Sequence, residues 1–238
     1  MGIRLDSELV RRGLVATRSQ AESYIKLGNV QVDGAVITKP GRPVSEASRI
    51  KLNVKELYVS RAALKLASVA KVLQLDFTNK TVLDVGSSTG GFTDYALKHG
   101  AKKVIAVEVG KNQMHASLLG NPRIELHEQT DIREFETGQH IDIAVIDVSF
   151  ISLRQILPSV SRLMSPDSLV VAMVKPQFEA VNNNLKHKGV IKNDHVRREI
   201  LKDFENWVKP RAIILDKADS SVSGAKGNKE RFYLLRLL

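Results

Sequence analysis

One segment combines an acid, glycines and small polar residues at a spacing that suits ligand binding: Thr81-Val-Leu-Asp-Val-Gly-Ser-Ser-Thr-Gly-Gly-Phe-Thr-Asp94. Its apolar start predicts a strand that ends near Asp84, and a helical pattern resumes at Phe92 after a turn of small residues. A dinucleotide site needs the spacing G-x-G-x-x-G, which lays a pyrophosphate on a helix N-terminus. Here an acid precedes the first glycine and would repel a phosphate. The segment therefore predicts a site for a cationic or amine-bearing ligand.

The turn itself supplies most of the candidates for holding this ligand. Glycines remove Cβ atoms where a backbone must turn sharply and approach a ligand closely. An ordinary tight turn between a strand and a helix is the structural alternative. Together with Asp84, the candidate binding residues are Gly86, Ser87, Ser88, Thr89, Gly90, Gly91 and Phe92.

Two further acids follow the next apolar runs of the chain. Glu108 lies about 24 residues after Asp84, at the position from which an acid accepts hydrogen bonds from ribose hydroxyls. Asp131 follows the third run and either accepts a hydrogen bond from an adenine amino group or caps the turn 132–135. Ligands of open α/β sheets bind at the carboxyl ends of the strands. We therefore expect these acids to share one pocket.

A lysine and an aspartate end two more apolar runs. Asp147 closes Ile141-Asp-Ile-Ala-Val-Ile-Asp147, and Lys175 closes Leu169-Val-Val-Ala-Met-Val-Lys175 just before a proline. At neighbouring strand ends they would form a partly buried pair beside the ligand. Such a pair is either a structural salt bridge or part of the chemistry, and its place at the pocket favours chemistry.

Strand and helix patterns alternate through residues 60–238. A helix is expected from 61 to about 75, and the polar segment 182–189 predicts a mobile loop. The predicted strands are 81–85, 104–108, 124–126, 141–148, 169–174, 212–215 and one within 232–237. This order predicts an α/β domain with a doubly wound, seven-stranded, Rossmann-like sheet.

Residues 1–52 predict a small α+β module, joined to the larger domain by a linker at 53–59. Two short helices are expected, one stopping at Gly13 and one over 18–27 with Thr17 as its N-cap. A hairpin over 30–37 turns at Asp33-Gly34, and a strand over 50–52 completes the module. The basic side chains left for its surface make it a candidate RNA-binding module: Arg4, Arg11, Arg12, Arg18 and Lys26.

Charge and composition narrow the function further. The net charge is +10, and residues 1–55 hold ten Lys and Arg against five Asp and Glu. Such a basic density suits a polyanionic partner such as nucleic acid, and by charge alone a solubilising surface is equally compatible. Cysteine is absent, which excludes disulfides, thiolate metal sites and the covalent route to carbon-5 methylation of pyrimidines. No apolar run is long enough to span a bilayer, and no signal peptide is evident, so we expect a soluble cytoplasmic protein. The histidines show no ligand spacing, so no metal site is expected: His99, His115, His127, His140, His187 and His195.

Two stretches of the chain resemble known families. The glycine-rich turn after Asp84 is similar to motif I of the S-adenosylmethionine (SAM) methyltransferases, whose ligand carries an amino group and a sulfonium. The N-terminal module resembles the S4 RNA-binding domain through these elements: Arg4-Leu-Asp, Gly13-Leu, Thr17-Arg18, Ala21, Ile25, Gly28, Val30, Val32 and Asp33-Gly34. That resemblance implies binding of structured RNA through its shape and phosphates.

Nearly the whole chain resembles the TlyA (haemolysin-A-like) family, which joins an S4 domain to an FtsJ-type ribose methyltransferase domain. The matching segments are Tyr58-Val-Ser-Arg-Ala-Ala-Leu-Lys65, the Asp84 turn, Asp147-Val-Ser-Phe-Ile, Val174-Lys-Pro-Gln-Phe-Glu179 and Gly227-Asn-Lys-Glu230. The resemblance implies methyl transfer from SAM to a 2′-hydroxyl of ribosomal RNA, free or in a ribosomal subunit. It also implies a catalytic tetrad of Lys65, Asp147, Lys175 and Glu230. By their sequence context alone, Lys65 and Glu230 would be solvated.

The role of Lys175 in this reaction has two interpretations. A hydroxyl is a poor nucleophile and must lose its proton as it attacks. In the family view Lys175 takes that proton, Asp147 and Glu230 orient it, and Lys65 positions the substrate. Alternatively Lys175 stays charged and stabilises the developing alkoxide, while positioning supplies most of the acceleration.

Three rival functions are open at this point. Methyltransferases that act on amino groups commonly carry an Asn/Asp-Pro-Pro-Tyr/Phe loop, and Asp147-Val-Ser-Phe150 keeps its ends but lacks both prolines. The name haemolysin implies a membrane-active protein, but the basic helices here have interrupted apolar faces. An RNA-binding chaperone with a vestigial pocket is the third.

Overall fold

The computed structural model describes residues 2–54, 57–180, 189–191, 193–224 and 227–238. The N-terminal module has two short helices that pack against each other and against short strands, and several of its turns contain a left-handed glycine. Its elements are β1 Ile3–Arg4, α1 Leu5–Arg11, α2 Arg18–Lys26, β2 Val30–Val32, β3 Ala35–Val36, β4 Pro43–Val44 and β5 Ile50–Leu52. Strand β2 pairs with β3 and β5, and β1 pairs with β4.

The larger domain alternates strands and helices from α3 onward. Its elements are α3 Arg61–Ala70, β6 Thr81–Val85, α4 Gly91–Lys98, β7 Lys103–Val107, β8 Ile124–His127, β9 Ile143–Ile146, α5 Leu153–Leu163, β10 Leu169–Val174, α6 Pro176–Glu179, α7 Asp194–Val208, β11 Ala212–Asp219 and β12 Arg231–Leu237. The predicted helix over 61–75 ends earlier, at Ala70, and the chain reaches a left-handed residue at Gln74. Residues 182–188 of the predicted loop lie outside the described ranges.

The seven strands form one sheet in the order β11-β12-β10-β9-β6-β7-β8, which confirms the predicted doubly wound α/β fold. Strands β6 to β10 pair in parallel, and β12 runs antiparallel to both β10 and β11. Apolar side chains on both faces of the sheet pack against helices, so the central strands are buried throughout. The strand order reverses between β6 and β9. A crevice at the carboxyl ends of these strands is where such sheets bind ligands.

The two domains are held against each other through the segment that joins them. Leu64 of α3 and Val222 lie in the same apolar cluster as the core of the N-terminal module. The Gln20 side chain of α2 donates to the Tyr58 carbonyl, and Asp94 of α4 accepts from the Val59 amide at 2.9 Å. One helix from each domain, α2 and α4, therefore makes hydrogen bonds to the segment that joins the domains. The exact domain boundary at 53–59 stays a prediction.

Two fully buried acids organise the N-terminal module. Asp6 accepts hydrogen bonds from Arg4 and Arg18, and Glu8 accepts from both Arg11 and Arg12. Hydrogen bonds from its two arginines lower the pKa of Glu8 to about 2. Burial by itself would raise the pKa of Asp6, but its arginine partners outweigh it and bring that pKa also to about 2. These arginines are therefore part of the fold as well as part of the surface.

Substitution of Arg12 by alanine is expected to destabilise the protein more than the same change at Arg11. Besides Glu8, Arg12 donates to the carbonyls of Ser48 and Glu46, at 2.8 and 2.9 Å, and so ties α1 to the loop before β5. We expect Arg12→Ala to lower the thermal midpoint by about 5 °C. Thermal unfolding followed by circular dichroism measures it, with Arg11→Ala as the matched control. Equal shifts in the two variants would contradict this role.

Candidate active site

The turn after β6 is shaped by glycines that allow close packing. Gly86 has a φ of +78°, and a Cβ there would lie 3.1 Å from the Asp147 carbonyl oxygen. A Cβ on Gly91 would lie 2.8 Å from the Cβ of Ala62, and one on Gly90 would collide with Met114. Gly90 and Gly91 therefore provide room for neighbouring chain segments, while Gly86 lets the segment after β9 approach the turn.

Two adjoining cavities open at the carboxyl ends of the strands. The larger, of about 530 Å³, lies between the segments that follow β6, β7, β8 and β9, and Glu108 and Asp131 line it. The smaller, of about 130 Å³, is lined by Asp84 and Lys175 together with most of the glycine-rich turn: Gly86, Ser87, Ser88, Thr89 and Phe92. Asp147 and Ser149 border both cavities. A larger groove between the two domains lies away from the strand ends, so we assign ligand binding to the crevice.

Asp84 is a buried carboxylate without a full set of partners. Thr93 Oγ1 donates to its Oδ2 at 2.6 Å, whereas its Oδ1 is buried and has no hydrogen-bond partner among the residues described. Burial raises the pKa of Asp84 to about 7, and the negative charges of Asp147 and Glu108 act in the same direction. A ligand amine or other cation beside Asp84 would stabilise the ionised carboxylate and so offset the cost of burying its charge.

The side chains of Glu108 and Asp131 are oriented by hydrogen bonds from backbone amides. Glu108 accepts from the Ser88 amide at 2.9 Å and from the Gly110 amide at 2.7 Å, which ties it to the glycine-rich turn. Asp131 accepts hydrogen bonds from Nε and Nη2 of the Arg133 guanidinium and from the Arg133 amide. The hydrogen bonds from Arg133 lower the pKa of Asp131 despite its partial burial. Asp131 thus caps its own turn and also lines the cavity. Its two suggested roles, turn cap and acceptor for an adenine amino group, are both compatible with this placement.

Two ion pairs lie at the carboxyl ends of β9 and β10, next to the start of the antiparallel strand β12. Lys175 Nζ is 2.6 Å from Asp147 Oδ1, and Lys65 Nζ is 2.6 Å from Glu230 Oε2. Both lysine residues are 7% exposed and Glu230 is 2% exposed, so Lys65 and Glu230 are not the solvated residues that their sequence context suggests. Val174 pairs with Arg231 across antiparallel strands, which places the two ion pairs side by side.

The segment after Asp147 contributes two residues that sequence reasoning did not single out. Ser149 Oγ accepts a hydrogen bond from Lys175 Nζ at 2.7 Å. Phe150 has a φ of +66°, a rare conformation for an aromatic residue, and is 91% exposed at the rim of the larger cavity. Its ring lies 5.3 Å from that of Phe178, centroid to centroid. An exposed ring in a strained backbone beside a pocket is a signal only the structure provides.

The candidate RNA-binding residues lie apart from this crevice, on the N-terminal module. All five are in ion pairs, four of them with the buried acids and Lys26 with Glu22 at 3.8 Å. Arg4, Arg11, Arg18 and Lys26 keep about half or more of their side-chain surface exposed, whereas Arg12 keeps 24%. Arg12 is therefore committed mainly to the fold.

Within the described ranges, no group of three or more His, Cys, Asp and Glu side chains is placed to hold a metal ion. No helix in that part of the chain is long and apolar enough to cross a membrane.

Comparison with known proteins identifies the family. A model of FtsJ-like methyltransferases matches residues 58–237, and a model of the S4 domain matches residues 3–50. The chain belongs to the FtsJ-like methyltransferase family and carries an S4 domain at its N-terminus. It is therefore a methyltransferase.

Full-length relatives narrow this to the TlyA group and confirm the resemblance read from the sequence. The 16S/23S rRNA (cytidine-2′-O)-methyltransferase TlyA of Mycobacterium tuberculosis is 35% identical over 98% of this chain and 89% of its own. Hemolysin A of Brachyspira hyodysenteriae is 34% identical over 96% of this chain and 97% of its own. A structure described as a candidate hemolysin of Streptococcus thermophilus superposes with a TM-score of 0.73 at 34% identity, covering 99% of this chain and 88% of that one.

Replacement of Asp84 by asparagine is expected to change how stability depends on pH. A carboxyl whose pKa rises from about 4 unfolded to about 7 folded binds its proton more tightly in the folded state. Below pH 4 this tighter proton binding contributes about 4 kcal/mol to the free energy of unfolding. The contribution is lost as the pH rises from 4 through 7. Asp84→Asn removes this loss, so the variant gains stability relative to the parent as pH rises from 4 to 8.

Urea unfolding of the ligand-free protein at several pH values tests this expectation. The difference in unfolding free energy between Asp84→Asn and the parent should widen steadily over that pH window. Asp76→Asn is a suitable control, because Asp76 is exposed and lies outside the crevice. Parallel pH profiles for the parent and Asp84→Asn would show that burial does not perturb Asp84.

Proposed function

We propose that this methyltransferase transfers a methyl group from SAM to a ribose 2′-hydroxyl of ribosomal RNA. The observation that carries the proposal is the buried Lys175–Asp147 pair at the junction of two cavities, beside the buried Lys65–Glu230 pair. A family resemblance implies these four residues as a catalytic tetrad, and the fold brings them to one edge of the sheet. Three buried ionisable groups and the partly buried Asp147 at a ligand crevice favour proton transfer or charge stabilisation over a purely structural role.

The donor set of the crevice fits SAM. Asp84 offers a buried, unsatisfied oxygen to an amine or sulfonium in the smaller cavity. Glu108 is fixed by two backbone amides and keeps lone pairs for ribose hydroxyls. Asp131 lines the same cavity and can accept from an adenine amino group. Apolar side chains that line this cavity suit a flat base: Val107, Ile132, Val148 and Ile156.

The reaction forms a bond between the ribose oxygen and the methyl carbon, breaks the carbon–sulfur bond of SAM, and leaves the electron pair on sulfur. The chain must handle the hydroxyl proton that is released. Lys175 lines the smaller cavity and pairs with Asp147, which borders both cavities, so the lysine lies close to where donor and acceptor would meet. It either accepts the proton or, as an ammonium ion, stabilises the oxygen as negative charge develops. In both cases Asp147 holds the lysine, and Glu230 holds Lys65 beside it.

Ribosomal RNA is the substrate that the rest of the molecule supports. A TlyA relative that matches nearly the whole chain is named for cytidine 2′-O-methylation of 16S and 23S rRNA. The S4 domain and the net charge of +10 suit a structured polyanion. The exposed ring of Phe150 at the cavity rim provides a face on which an unstacked base can lie. An rRNA substrate implies that the protein works in the cytoplasm.

Incubation with methyl-labelled SAM tests the proposal directly. Purified protein would be given unmodified small and large ribosomal subunits, or the matching naked RNAs, and the product would be digested to nucleosides. We expect label in a 2′-O-methylated nucleoside, and a loss of about 10³-fold in rate for Lys175→Ala. Lys202→Ala, an exposed lysine of α7, is the matched control and should retain full rate.

Each other outcome overturns a defined part of the proposal. Label in a base would show an amino-methylating enzyme, and label in protein would exclude RNA as the acceptor. An active Lys175→Ala variant would remove this lysine from the chemistry. Absence of SAM binding by calorimetry would leave an RNA-binding protein, and leakage of liposomes without SAM would support the membrane-active rival.

Arg18 provides a test of RNA docking by the N-terminal module. Its side chain is 55% exposed while it shares Asp6 with Arg4, so it can pair with a phosphate without leaving the fold. We expect Arg18→Ala to weaken binding of an rRNA fragment and to reduce the slope of log affinity against log salt by about 0.8. Filter binding at several salt concentrations measures the slope. Arg12→Ala, assayed well below its melting temperature, should keep the parent slope, and the reverse ranking would contradict this assignment.

A further inference from the structure

The hydrogen bonds around Lys175 leave one of its donor positions open. An ammonium group has three N–H bonds, and a neutral amine has two and one lone pair. Asp147 Oδ1 and Ser149 Oγ account for two of these directions, at 2.6 and 2.7 Å. Within the described chain no third partner of Lys175 Nζ is found. Because Lys175 is only 7% exposed and lines the smaller cavity, a group bound in that cavity is the partner within reach of the remaining direction.

Ser149 also has an unused hydrogen-bonding group of its own. Its oxygen accepts from Lys175, so its hydroxyl hydrogen must point elsewhere, and no acceptor for it is present in the part of the chain described. The side chain borders both cavities together with Asp147. The hydroxyl hydrogen is thus available to an oxygen placed at the junction of the cavities.

The position of Ser149 is set by two backbone features. Gly86 lacks the Cβ that would press on the Asp147 carbonyl, so the segment after β9 can lie against the glycine-rich turn. Phe150 then adopts a φ of +66°, which costs energy for a side chain of its size and turns the chain sharply after Ser149. Strain of this kind persists where the surrounding structure imposes it, and here it presents Ser149 to the lysine.

We propose that Ser149 is a positioning residue for methyl transfer, and this rests on the proposed function. With Asp147 it holds Lys175 so that the free direction of the amine points at the attacking hydroxyl. In the base mechanism the proton of the ribose hydroxyl passes to the lone pair of neutral Lys175, which becomes an ammonium ion. In the electrostatic mechanism the same direction carries an N–H bond to the developing alkoxide. Ser149 is needed in both, because without it the flexible lysine has a single anchor.

Substitution of Ser149 by alanine and by threonine distinguishes a positioning role of its hydroxyl from a packing role of its side chain. Ser149→Ala removes the acceptor, whereas Ser149→Thr keeps a hydroxyl. Ser161→Ala, the same change on α5 away from the crevice, is the matched control. We expect Ser149→Ala to reduce kcat by about 10- to 100-fold, which corresponds to the loss of one hydrogen bond to a charged group. The KM for SAM and the thermal midpoint should stay close to those of the parent, and Ser149→Thr should restore most of kcat.

A second readout follows the lysine without turnover. Trace acetylation with acetic anhydride, quantified by peptide mass spectrometry over a range of pH, reports the titration of each amine. In Ser149→Ala the protonated amine of Lys175 has lost an acceptor, so its labelling curve should move to lower pH than in the parent. Lys202, labelled in the same sample, serves as the internal reference. The pH at half-maximal kcat should move with it in the base mechanism.

The two readouts distinguish failure of the inference from failure of the proposed function. If the parent methylates RNA and Ser149→Ala matches it in kcat and in labelling, Ser149 has no positioning role. If Ser149→Ala lowers kcat without any change in labelling, or if threonine fails to rescue both, the inference is also overturned. If the parent transfers no methyl group to any RNA while the labelling curve of Lys175 still shifts, the proposed function fails and the contact to Lys175 stands.

Discussion

Burial of opposite charges at the carboxyl edge of the sheet is the constraint on which the rest of the structure depends. Lys65, Asp147, Lys175 and Glu230 are held where water is largely excluded, so each charge needs a partner close by. Removing one member of such a pair leaves the other buried and uncompensated. The parallel strands, the glycines of the turn and the antiparallel β12 all serve to bring these partners within reach.

Buried charges are also paired in the N-terminal module, but there the partners of the buried acids are partly exposed arginines. There, Asp6 and Glu8 are buried and each is neutralised by two arginines whose outer surfaces remain in water. An acid that draws arginines together also orders them in space. The basic surface of this module is therefore preorganised by its core, which reduces the side-chain entropy lost when a polyanion binds.

Residues at the ends of apolar runs could be placed from the sequence. An ionisable residue such as Asp84 or Lys175 that ends a buried parallel strand must lie at the carboxyl edge, because the strand itself excludes charge. The seven strands and their doubly wound order follow from the same alternation. Lys65 and Glu230 could not be placed this way, since one lies within a helix and the other precedes a strand whose antiparallel direction has no local signature. The pairing of the N-terminal arginines was equally hidden, because it depends on how α1 packs against loops.

Strand β12 gives the catalytic edge an order of assembly. It lies between β10 and β11 and is the last of the seven strands along the chain, so β10 keeps an open edge until β12 enters. Glu230 immediately precedes β12 and reaches Lys65 only after that insertion. The buried edge of the sheet is therefore completed only by the last of the seven strands, because Lys65 has no counter-charge until β12 pairs with β10.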